Sequence, residues 1–175
     1  ARFSAGSPVF PEPQPLITQP DWLNLESPSA SAIVRRYAAL YEDEFMVDQP
    51  VAQSIRPVVK DRRPPLSELA AQTLSLTGFY PGLVDALGAA HEESRLAAII
   101  GLQSWLPLRP ENADRLTTEL QDRFRPEEAE VIGRLLWGYD AEDARNPLDS
   151  EDLLNWMGHD EIAIRELAFF HVLRL

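Results

Sequence analysis

Apolar residues along this chain recur mostly at intervals of three and four, the spacing that lines one face of an α-helix. Ile33, Val34, Tyr37, Ala38, Leu40, Tyr41 and Phe45 keep that spacing after Ser29 or Ser31, either of which can cap a helix start. From Asp48 to Pro65 the pattern is broken by Pro50, Pro57, Pro64 and Pro65, leaving room for one short helix around Val51–Ile55. Further helical patterns cover Leu66 to Leu74, Leu83 to Leu87, Leu96 to Leu106 and Leu116 to Phe124. Three more cover Ala129 to Trp137, Leu153 to Met157 and Ile162 to Leu175. The strict alternation of a half-buried strand occurs nowhere, so the pattern predicts an all-α chain.

The order of these segments has a period. A short amphipathic helix, a polar turn and a longer, more apolar helix follow one another three times. The turns are Ala90-His91-Glu92-Glu93, Phe124-Arg125-Pro126-Glu127 and Gly158-His159-Asp160-Glu161. Arg95, Glu130 and Arg165 occupy matching places 35 residues apart. Ala98, Gly133 and Ala168 follow three positions later, where a small side chain lets a neighbouring helix pack closely.

In the last unit, Leu153-Leu154, Asp160, Ile164-Arg165, Ala168 and Val172 resemble the HEAT repeat, an antiparallel helix pair of armadillo type. The unit at Leu83–Trp105 is similar but carries Ser94 before Arg95. The unit at Leu116–Trp137 departs further, with Glu130 at the arginine position, and a degenerate fourth unit covers Val51–Leu76, where Ala71 keeps the small position. The resemblance implies a right-handed stack of antiparallel helical hairpins, an α-α superhelix, over about two thirds of the chain. It also implies a scaffold or docking surface while leaving the partner open. The departures keep an irregular bundle of hairpins open as the alternative.

Residues 1–28 read differently. Pro8, Pro11, Pro13, Pro15, Pro20 and Pro28 favour an extended arm or linker, and Phe3, Val9, Phe10, Leu16, Ile17 and Trp22 give it apolar points with which to dock. The expected organisation is thus a proline-rich arm over 1–28 and a helical repeat domain over 29–175. The chain begins at Ala1 and stops inside an apolar helical pattern at Leu175, which suggests one piece of a larger protein whose repeats continue past 175. No segment reads as a signal peptide or a membrane span, so a soluble domain is expected, in the cytoplasm or behind an anchor elsewhere.

Composition narrows the chemistry. With no cysteine and three histidines, disulfide scaffolds and the common cysteine-based zinc folds are excluded. Lys and Arg number 16 against 28 Asp and Glu, a formal charge of −12, which argues against a nucleic-acid phosphate binder. The imbalance is concentrated: residues 1–65 carry 7 basic and 8 acidic side chains, residues 66–175 carry 9 and 20. No glycine-rich phosphate loop, His-Glu-x-x-His pair or nucleophile elbow is present. The two His-acid turns read as helix-start chemistry rather than metal ligands, and His171, on an apolar stripe, as a partly buried histidine.

These observations lead to a non-catalytic interaction module with no catalytic residue, metal or cofactor. Its partner is expected to be a protein, a basic one if the acidic side chains share a face, and the candidate contacts are Glu127, Glu128, Glu130, Trp105 and Trp137. Trp105 and Trp137 end successive long helices, so packing between repeats competes with binding for them. The alternative function is a regulatory or sensor domain of a larger membrane-anchored or enzymatic protein.

Overall fold

The computed structural model describes residues 32–139 and 143–174. It comprises two units, Ala1–Arg36 and Tyr37–Leu175. The expected arm over 1–28 lies outside the described residues. Among those residues the elements are all helical: α1 (Ala32–Glu42), α2 (Val51–Ile55), α3 (Pro64–Leu76), α4 (Tyr80–Leu87), α5 (Glu92–Trp105), α6 (Asn112–Arg123), α7 (Pro126–Trp137), α8 (Pro147–Trp156) and α9 (Ile162–Val172). The all-α expectation holds, and no described helix is long and apolar enough to cross a membrane.

The prolines that interrupt the pattern start helices more often than they end them. Pro64, Pro126 and Pro147 open α3, α7 and α8, where the missing N–H costs nothing and the fixed φ suits the first turn. Pro57 does the same for a 3-10 turn, Arg56–Lys60, which prolongs α2 beyond its expected end. Asp61 then shapes the entry to α3. Its carboxylate accepts from the Arg63 backbone N–H at 2.7 Å and from the Arg63 guanidinium at 2.9 and 2.7 Å. The guanidinium holds the Asp61 carboxyl down at about 2.

Within the second unit the long helices α3, α5, α7 and α9 run in the same sense. Ser67 meets Ser94 near the starts of α3 and α5, and Ser75 meets Gly101 near their ends. Arg95 pairs with Glu166 near the starts of α5 and α9, while His171 near the end of α9 bonds Leu135 near the end of α7. The shorter elements are linked through Asp85 of α4. It pairs with Arg56 of the 3-10 turn at 2.6 Å and with Arg123 of α6.

The core follows the apolar stripes. Leu66, Ala70, Ala71 and Leu74 of α3, Leu83 and Leu87 of α4, and Ala98, Ile99 and Leu102 of α5 are all buried. They continue into Leu116, Leu120, Ile132, Leu135 and Leu136 of α6 and α7, and Ile164, Leu167 and Ala168 of α9. Each large aliphatic side chain withdrawn from water contributes roughly 1.5–3 kcal/mol before the entropy of ordering it is subtracted. α9 packs against both α5 and α7. A strictly linear row of hairpins would separate α5 from α9, so that contact departs from such a row.

The matched small residues do not behave alike. Ala98 and Ala168 are fully buried at helix contacts, as their spacing suggested. Gly133 is only half-buried, and a Cβ there would meet just Leu120 Cδ1 at 3.8 Å. The close helix approach falls instead at Gly101, where a Cβ would lie 2.8 Å from Ser75 Oγ and 2.9 Å from Ser75 Cβ.

Candidate functional site

The turns of the repeat units are occupied by structural work. The Arg95 guanidinium donates to the Ala89 and Ala90 carbonyls at 2.9 and 3.1 Å and pairs with Glu166 at 2.6 Å. Seventy residues on, Arg165 donates to the equivalent His159 and Asp160 carbonyls. In both units the arginine reaches back from the long helix and satisfies two carbonyls of the turn that precedes it. Glu130 cannot do this in the middle unit. There Glu128 reaches back instead, accepting from the Arg125 backbone N–H at 3.0 Å and from the Arg125 guanidinium. That guanidinium holds the Glu128 carboxyl below the usual range.

The histidines are likewise engaged. His159 Nδ1 accepts from the Glu161 backbone N–H at 2.9 Å, and Glu161 in turn accepts from the Ala163 N–H at 3.2 Å to cap α9. His91 occupies the residue before α5, yet its ring makes no cap; Nε2 donates to the Asp61 carbonyl 3.1 Å away and ties the start of α5 to the end of the 3-10 turn. Among the described residues, no group of three or more His, Asp or Glu side chains converges in a way that could hold a metal.

Of the five sequence-selected contact residues, two face inward. Glu128 is buried in its Arg125 pair. Trp105 is half-buried and stacks on Tyr80 of its own hairpin, with ring centroids 4.5 Å apart. Glu127 and Glu130 are exposed on α7, and Trp137 at its end is 62% exposed. Glu130 and Trp137 wall one groove of about 460 Å³ between α6 and α7, together with Thr117 and Gln121 and with Gly133 among its lining residues. Arg134 borders the groove but is drawn towards α8, pairing with Asp149 at 2.5 Å and lying 5.4 Å from the Trp156 ring. Asp114 and Asp122 of α6, and Glu111 just before it, are exposed, so the acidic excess reaches both helices of this pair. Asp140 and Glu142 lie outside the described residues.

A second concavity lies where α5, α7 and α9 end. Its volume is about 410 Å³, and Leu106, Pro107, Trp137, Tyr139, His171 and Arg174 are among its walls. Gly138 has φ of +124°, a conformation open to glycine and strained for other residues, and Tyr139 immediately follows it, packed against His171. The turn at Gly138 brings Tyr139 back to the helix ends; sequence reasoning missed Arg174, which no motif singles out. A third concavity, between α5 and α9, is dominated by the Arg95–Glu166 pair.

Compared with protein-family models, curated proteins and solved structures, the chain matches none.

Proposed function

We propose that this chain is a non-catalytic protein-docking module that receives a basic partner segment on the α6–α7 pair. The observation carrying this reading is the groove in which exposed Glu130 and Trp137 stand together, with exposed Glu127 on the same helix. An aromatic anchor beside solvated carboxylates suits a segment with alternating apolar and cationic side chains. The paired helices are read as irregular HEAT-like repeats. The shared direction of the long helices and the matched carbonyl contacts of Arg95 and Arg165 support this reading.

Docking of this kind is steered by exposed charge and weakens as the Debye length falls from about 10 Å at 0.1 M salt to about 3 Å at 1 M. The test places a photo-cross-linking residue at Gln121 in the groove, with a control at exposed Leu76, and follows the captured partner's association rate. Capture from position 121 alone is expected, with an on-rate that falls with salt and on Glu127→Gln/Glu130→Gln substitution. Equal capture from both positions, or an on-rate indifferent to salt and to the substitutions, overturns the reading.

A further inference from the structure

We infer that the cleft where α5, α7 and α9 end is a binding site for a small monocarboxylate with an apolar or aromatic tail. In a chain of net charge −12, the charged side chain lining this cleft is a cation, Arg174. Its guanidinium lies 4.5 Å from the Phe170 ring centroid and has no carboxylate partner among the described residues. Tyr139 is 9% exposed and its buried hydroxyl has no hydrogen-bond partner among the described residues. An unsatisfied buried hydroxyl is costly, and a ligand oxygen would remove that cost.

Three helix ends in one place would ordinarily repel an anion, because their last carbonyls carry partial negative charge. Here two of the nearby carbonyls are already covered. The Asn112 amide donates to the Trp105 carbonyl at 2.8 Å, and His171 Nε2 donates to the Leu135 carbonyl at 2.7 Å. That second bond fixes the imidazole tautomer, leaving the exposed Arg174 guanidinium as the cation for a carboxylate; the Tyr139 hydroxyl, closed to solvent, joins it once the ring shifts towards the ligand. Leu106, Pro107 and Trp137 supply the apolar wall for the tail. A volume of about 410 Å³ falls within the range of small-molecule sites, roughly 300–1,000 Å³. The site shares Trp137 with the α6–α7 groove, but Arg174 and Tyr139 line this cleft and not that groove, and nothing in the docking reading requires them.

The experiment is calorimetric titration of the chain with hexanoate and with 3-phenylpropionate, set against the neutral alcohol 3-phenylpropan-1-ol. Saturable binding of the carboxylates is expected, with dissociation constants of about 1 mM or tighter. Arg174→Gln should weaken it about tenfold or more, and Tyr139→Phe by a factor of about three to ten. Arg174 is exposed, so its substitution tests the site without threatening the fold. Absence of saturation by about 10 mM, equal affinity for the alcohol, or carboxylate affinity unchanged in Arg174→Gln each overturns the assignment.

Discussion

The α3–α5 seam and the α6–α7 pair each place a glycine in the long helix, and the two glycines do opposite things. At the seam Gly101 leaves no room for a Cβ, because Ser75 already occupies the space. Two turns earlier along the same seam, a buried chain of hydroxyls runs from Ser94 through Ser67 to the Val59 carbonyl, each step 2.6 Å. At α7, Gly133 lines an open groove and has only Leu120 within reach. A glycine inside a helix costs roughly 0.5–1 kcal/mol relative to alanine. Close packing offsets that cost at the seam. In the groove nothing visible offsets it, and what remains is concave surface beside an exposed tryptophan.

Several substitutions would break or sharpen this contrast. Gly101→Leu installs the residue found at the matching position of the next unit, Leu136, and should cost about 3 kcal/mol or more by overpacking the seam. A chemical-denaturation midpoint equal to that of the parent would remove the seam from the argument. Ser67→Ala leaves the Val59 carbonyl and the Ser94 hydroxyl without their buried partner, with an expected cost of about 2 kcal/mol on the same measurement.

His171 occupies the position of Gly101 and Leu136 in the third unit, and it responds to pH. Burial, opposed by the Leu135 hydrogen bond, pushes its pKa below the ordinary 6.5; Arg174 pushes the same way and Asp143 opposes it. The unfolded chain therefore takes up a proton more readily than the folded one. Stability should hold above neutral pH and fall progressively as pH drops below 6.5. Paired denaturation curves for the parent and His171→Gln check the assignment, since the substitution should flatten that part of the profile.

The smallest effect has the opposite sign. Gly133→Ala should stabilise the chain by about 0.5–1 kcal/mol, because α7 gains helix propensity and nothing is displaced. A loss of stability would mean that the groove is tighter than its geometry indicates.

Helix positions were legible in the sequence because each is decided locally. The three-and-four spacing of apolar residues, the prolines at helix starts and the acids in first turns all act within one or two turns. For this reason α2 at Val51–Ile55 and α7 ending at Trp137 fall where the pattern puts them. The match of Arg95 and Arg165, two 35-residue steps apart, was also legible, and its carbonyl contacts close within six residues of each arginine. The candidate site was only partly legible. Glu127, Glu130 and Trp137 are exposed as a docking surface needs, whereas Glu128, one residue from Glu127, turns inward to Arg125.

What the sequence by itself determined is therefore the set of helices, their order, and the acidic excess after residue 65. The tertiary structure decided which of the small residues is needed for close packing, because that depends on Ser75, 26 positions before Gly101 in the chain. It also decided that α9 rests on both α5 and α7, bringing Tyr139, His171 and Arg174 to one cleft. Spacing along a chain records which face a residue shares with its neighbours in the same helix. It carries no record of the distance to another helix, which is set by the side chains of both.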